Sequence, residues 1–158
     1  MRHIISKHDT MKRAPARAGD AYYRAMAEFR HQIRRFTSFS EQVAEVAGVA
    51  SQQHLLLLSL RGLPAGTRPT IRGLADRLLL KHHSVVELVD RSERMGLVRR
   101  VADRHDRRQV MVELTAKGER VLQQIFITNR RQLSAQSSEL SRALVRLTRE
   151  QQSKKRRR

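Results

Sequence analysis

From Asp20 to Ala47 the chain runs without a Gly or a Pro. Tyr22, Met26, Phe29, Ile33, Phe36, Val43 and Ala47 recur at spacings of three, four or seven, with Ser40 interrupting the stripe. The spacing predicts one amphipathic helix of about 27 residues, reaching roughly 40 Å, with Asp20 as its N-cap. A chain of 158 residues has the length of one compact domain with helical extensions. So small a domain cannot cover a rod of that length, and a second copy of the chain is its natural cover. The competing reading, a buried helix of a monomer, lacks complementary apolar surface elsewhere in the sequence.

Charge narrows the choice of partner. The chain has 33 Lys and Arg against 15 Asp and Glu, a formal charge of +18. That excess favours a polyanion, nucleic acid first and an acidic membrane surface second. The 39% apolar content is enough for a small core. The longest apolar run, Leu55-Leu56-Leu57-Leu58, is far short of the roughly 20 residues of a membrane span. The first residues carry no apolar signal region, so a cytoplasmic location is expected. Without cysteine there is no disulfide framework, thiolate zinc site or thiol switch.

Residues 1–18 mix basic residues with Pro15 and no sustained period, as a loose basic arm would, and Met11 is an alternative start. Gly48 closes the long helix and Ser51 is placed to cap the next. There Leu55, Leu56, Leu58 and Leu60 are apolar nearly all round, as in a helix buried within the domain. After a loop with Gly62, Pro64 and Gly66, residues 68–70 read as extended, and Thr70 caps a helix with Ile71, Leu74, Ala75 and Leu78. A second helix over residues 83–95 turns Val85, Leu88, Val89 and Ser92 inward and ends at Gly96. The period then changes: residues 97–101 and 109–114 are β-rich runs flanking a charged tip, an antiparallel hairpin. Thr115 caps a helix running to about Arg131, and Ser134 caps a last one carrying Leu140, Leu144 and Leu147. A basic tail closes the chain.

Two short helices joined tightly and followed by a hairpin make a winged helix-turn-helix, whose second helix fits a major groove. The sequence resembles the multiple-antibiotic-resistance regulator (MarR) family. The likeness rests on Leu74-Ala75-Asp76-Arg77-Leu78, residues 84–93, Gly96-Leu97-Val98-Arg99-Arg100, Asp106-Arg107-Arg108 and Leu114-Thr115-Ala116-Lys117-Gly118, in that order. It is dense over residues 70–120. The fold class expected is mainly α with a small β-wing, a winged helix-turn-helix with N- and C-terminal dimerisation helices. In that division residues 1–18 are the arm and 19–152 the domain, with dimerisation helices at 20–50 and 116–150, the winged helix-turn-helix at 51–115 and the tail at 153–158. The resemblance implies a homodimeric transcription factor reading a pseudo-palindromic operator in double-stranded DNA. It also implies a repressor relieved by a small aromatic or phenolic effector, for which Phe36, Phe39 and His54 are candidates; ordinary core packing is their other reading.

Residue roles follow from chemistry. Thr70 and Arg72 open a helix, where free N–H groups suit a phosphate oxygen. Lys81, His82, His83 and Ser84 open the recognition helix toward the groove, the alternative for the two histidines being a solvated helix start. Glu87 can accept from cytosine N4 or orient Arg91, and the base preference stays open. Arg91 is a candidate for a base edge or phosphate, while Asp90 and Glu93 suit internal ion pairs. In the resemblance Asp106 and Arg108 match an Asp-x-Arg wing motif, Asp106 directing Arg108 into the minor groove. Arg104 and Arg107 would add phosphate contacts. The alternative is that Asp106 and Arg108 only tie the hairpin together. Of Arg99 and Arg100, alternating on a strand, at most one faces DNA.

No His-x-x-x-His pair, Gly-rich phosphate loop or nucleophile elbow appears, so no enzyme, cofactor or metal site is expected. The rival from another class is a non-specific architectural nucleic-acid binder. Six aromatics, none paired on a strand, argue against a single-strand reader.

Overall fold

The computed structural model describes residues 19–102 and 109–155. The expected basic arm at 1–18, the wing tip at 103–108 and the tail residues 156–158 lie outside the described residues. Among the described residues, five helices and a two-stranded sheet follow in the order α1 (Asp20–Val46), α2 (Ser51–Arg61), α3 (Ile71–Leu78), α4 (His82–Arg94), β1 (Val98–Ala102), β2 (Val110–Leu114) and α5 (Ala116–Lys155). The fold is mainly α with a small antiparallel β-wing, as the period switch after Gly96 predicts.

Helix starts divide by mechanism. Thr70 Oγ1 accepts from the Gly73 N–H at 3.1 Å, and Thr115 Oγ1 accepts from the Gly118 N–H at 3.1 Å, so both expected threonine caps form. The other three expected caps are corrected. Gly19, not Asp20, is the N-cap of α1, and Asp20 is its first helical residue, where a carboxylate still meets the positive end of the dipole. Ser51 is already helical; the α2 start is capped from inside, the Gln53 side chain accepting from the Ala50 N–H at 3.0 Å. Ser134 caps nothing, because α5 is one continuous helix of 40 residues, about 60 Å long. No Gly or Pro follows Gly118, and serines in its middle bond back to the preceding turn, Ser137 to the Leu133 carbonyl at 2.8 Å and Ser138 to the Ser134 carbonyl at 3.0 Å. The turn that α5 completes at 153–155 also takes up the start of the expected tail.

The core is built by α2, α3, α4, the wing base, the near end of α5 and the last turns of α1, which add Phe39, Val43 and Ala44. Leu56, Leu57, Leu74, Val85, Leu88, Val89, Leu97, Val98 and Val112 are fully buried within it, each side chain contributing roughly 1.5–3 kcal/mol. Ser92 joins them with its hydroxyl donating to the Leu88 carbonyl at 2.8 Å, which satisfies the polar group. The all-round burial expected of α2 is corrected: Leu56 and Leu57 are buried, but Leu55 and Leu58 are exposed, turned toward a cavity beside α1 and α5. In the sheet, Val98 pairs with Leu114 and Ala102 with Val110. The extended piece before α3 adds a bridge from Thr70 to Met111, with the Val112 N–H donating to the Pro69 carbonyl at 2.9 Å. Helix α1 packs along α5, joined by Arg35–Glu139 at 2.6 Å. Ile33, Phe126, Ile127, Leu144 and Val145 stay exposed on this helical pair.

Candidate nucleic-acid interface

The helix-turn-helix is held by its buried faces, which decides what α4 presents outward. With Val85, Leu88, Val89 and Ser92 turned into the core, His83, Glu87 and Arg91 stand exposed at successive turns on the opposite face. Lys81 is the N-cap of α4; it, His82 and His83 are exposed, and Ser84 is half-buried. His82 points about 100° away from His83, toward the side of the helix. No hydrogen bond or ion pair joins Glu87 to Arg91 among the described residues. Arg72 is exposed in the first turn of α3, next to the capping Thr70, whose hydroxyl is engaged with Gly73. Arg104, Asp106, Arg107 and Arg108 lie outside the described residues.

Sequence reasoning missed Arg94. It follows Arg91 by three residues and is exposed on the same side of α4. Together the two arginines line a cleft of about 510 Å³, whose other wall is the start of α2 at Ser51 and Gln52. The signal was the spacing 87, 91, 94, which continues the outer face; Arg94 was overshadowed by the Gly96 helix stop two residues later.

The turn into α4 also carries an unforeseen feature. Leu79 closes α3 in the left-handed region, φ 56° and ψ 38°, and is 91% exposed. A branched side chain there relieves no apolar area and costs about 1–2 kcal/mol of backbone strain.

Both strand arginines are engaged in ion pairs. Arg100 reaches back to α4, binding Asp90 and Glu93 at 2.6 Å each, while its own N–H donates to Glu93 at 2.8 Å. The Arg100 backbone N–H, and then its guanidinium, hold the Glu93 carboxyl below its ordinary range. The internal pairing expected of Asp90 and Glu93 is therefore present, and it sets the wing's angle to α4. Arg99 pairs across the hairpin with Glu113 at 2.8 Å.

The three candidate effector residues converge. Phe36 and Phe39 of α1 and His54 of α2 line one cavity of about 560 Å³, closed on its third side by Leu122, Ile125, Phe126 and Leu133 of α5. Arg61 and Glu119 pair at 3.4 Å on its wall. Burial lowers the His54 pKa, and a backbone hydrogen bond at Ser40 opposes that shift. Among the described residues no cluster of His, Cys, Asp and Glu is arranged to hold a metal, and no helix is long and apolar enough to cross a membrane.

A family model described as the MarR family matches residues 47–109. Over that segment the winged-helix core is similar to the MarR family. This segment is also similar to an uncharacterized HTH-type transcriptional regulator, YsmB, of Bacillus subtilis (strain 168), at 38% identity over 63 residues. The match spans 40% of this chain and 42% of that relative, so the chain aligns with less than half of its length. Solved structures extend the fold likeness over the rest. A MarR family transcription regulator superposes with a TM-score of 0.67 at 24% identity, covering 87% of this chain and 89% of that one. A mutant of MarR from E. coli complexed with operator DNA superposes at 0.59 with 20% identity, covering 72% and 76%. The MarR winged-helix fold thus takes in the long flanking helices as well as the matched core.

Proposed function

We propose that the protein is a transcriptional regulator that binds double-stranded DNA sequence-specifically as a homodimer on a pseudo-palindromic site. The observation that carries this reading is the outer face of α4. His83, Glu87, Arg91 and Arg94 are exposed in line, while the opposite face is locked into the core. Histidine, carboxylate and guanidinium groups at helical spacing are the chemistry that reads base edges and neighbouring phosphates in a major groove. Arg72 and Lys81 supply backbone contacts beside them. Arg108, directed by Asp106, takes the minor-groove role that the family resemblance assigns to the wing, with Arg104 and Arg107 on phosphates.

Pairing follows from the apolar residues left exposed on α1 and α5, Ile33 and Leu144 among them. Two copies joined there present two α4 helices, so the site has two half-sites about one helical turn or a multiple apart. The regulator acts as a repressor, and a small aromatic or phenolic molecule in the cavity of Phe36, Phe39 and His54 relieves it. The cavity's size suits such a ligand. Its wall on α5 gives a mechanical route to α4, since α5 begins at the junction that ends α4.

Selection of genomic fragments on the purified protein, followed by footprinting, tests the reading. Two protected half-sites in inverted orientation are expected. Uniform protection along every fragment would favour the architectural binder instead.

A further inference from the structure

The positive charge of this chain is not concentrated where the reading helix is. Residues 51–114, the whole winged segment, hold 12 basic and seven acidic residues, a net of +5. Helix α5 alone holds nine basic and three acidic residues, a net of +6, whereas α1 is balanced at four and four. Within α5 the excess is directional. Arg131, Arg142, Arg146 and Arg149 fall within about 60° of arc at 3.6 residues per turn. All four are exposed, and none takes part in an ion pair among the described residues.

Two acidic groups beside them are engaged elsewhere. Glu139 holds Arg35 at 2.6 Å, and Glu28 accepts from the buried Gln32 amide at 2.8 Å. Arg142, Arg146 and Arg35, together with Glu28 and Glu139, line a polar cleft of about 260 Å³ along the seam of α1 and α5. Of the exposed apolar residues, Phe126 and Leu144 lie roughly 140–160° from the arginines around the helix and Ile127 and Val145 roughly 40–100°, so pairing through Phe126 and Leu144 leaves the arginines open to solvent.

Distance separates this surface from the reading head. The first turn of α5 is clamped to the end of α4, Lys117 donating to the Met95 carbonyl at 2.8 Å. At 1.5 Å per residue, Arg142 to Arg149 lie about 35–50 Å further along the rod. Duplex DNA has a persistence length of about 50 nm, so a duplex seated on α4 does not bend over such a span to reach a surface off its axis.

We propose that the arginine face of α5 is a second phosphate-backbone-binding surface, through which protein seated on one duplex holds another. The inference rests on the DNA-binding reading above and adds a second, sequence-independent contact to it. Guanidinium groups without carboxylate partners, spaced along a rod, match a line of phosphates and release its counterions.

The test uses the full chain loaded onto a bead-bound duplex, washed, and offered a fluorescent duplex of unrelated sequence. Wild type is compared with the triple variant Arg142→Gln, Arg146→Gln, Arg149→Gln. The variant should keep its affinity for the first duplex within about twofold and capture at least about tenfold less of the second, with a salt slope of capture shallower by about 2.7. Wild type that binds the first duplex and captures no second overturns the inference and leaves the regulator reading standing. Capture by the variant equal to wild type also overturns it, assigning the bridge to the α4 helices. Binding of polyglutamate by this face, without capture of a duplex, overturns it in favour of an acidic protein partner. If wild type binds no duplex on the beads, the regulator reading falls and the inference with it.

Discussion

At the residue scale, two side chains sit against their own interest. Leu79 is nearly fully exposed with φ 56°, a conformation that glycine adopts at no steric cost. Leu79→Gly relieves the strain at a smaller entropic cost, so stability should rise by roughly 0.5–1 kcal/mol, read as a higher urea midpoint. An unchanged or lower midpoint would mean that Leu79 makes contacts in the assembled protein that outweigh its backbone. His54 is the second. Its pKa is lowered in the folded chain by burial, so the unfolded chain binds the proton more readily. The sign follows: stability is complete above the ordinary histidine value of 6.5 and declines as pH falls below it. His54→Gln should flatten the drop in thermal midpoint between pH 7 and 5 relative to wild type. A profile that keeps its slope would remove His54 as the source.

At the element scale the decisive piece is the junction of α4, β1 and α5. Thr115 donates its hydroxyl to the Gly96 carbonyl at 2.6 Å, and its N–H bonds the Leu97 carbonyl at 3.1 Å. Gly118 then passes so close that an added Cβ would lie 2.1 Å from the Leu97 carbonyl oxygen. In an ordinary helix Gly→Ala stabilises by about 1 kcal/mol. Here Gly118→Ala should destabilise by roughly 1–3 kcal/mol, because backbone oxygen cannot swing away as a side chain would. A stabilised variant in thermal unfolding would contradict the clamp. How much was legible in the sequence follows the same logic of unique solutions. Thr70 and Thr115 were readable because each stands just before a helical period with a hydroxyl that can reach the third N–H. Ser51 and Ser134 misled because serine serves equally as a cap, a first-turn residue or a back-bonding residue inside a helix. The inward face of α4 was read residue for residue, since one stripe of four buried positions admits a single orientation. Leu55 and Leu58 were misplaced because the sequence records their apolar character, not the cavity they face. Phe36, Phe39 and His54 come together across two helices, a convergence that follows from packing and not from spacing along the chain.

At the scale of the whole molecule, a rod of about 60 Å carries exposed apolar residues that a single copy leaves uncovered. Leu144→Glu places a carboxylate on that surface, at several kcal/mol per buried charge without a partner. Sedimentation should show a dimer for wild type and a monomer for the variant. A wild type that sediments as a monomer would leave the long helices without a reason. The outer face of α4 is proposed to read sequence, rather than to supply charge alone. The most direct measurement is the ratio of affinities for the best selected duplex and for random duplex at physiological salt, taken for wild type and for Glu87→Ala. A ratio of about 1,000 or more is expected for wild type, and a Glu87→Ala ratio about tenfold smaller. Equal affinity for both duplexes, lost in parallel as salt rises, would contradict it.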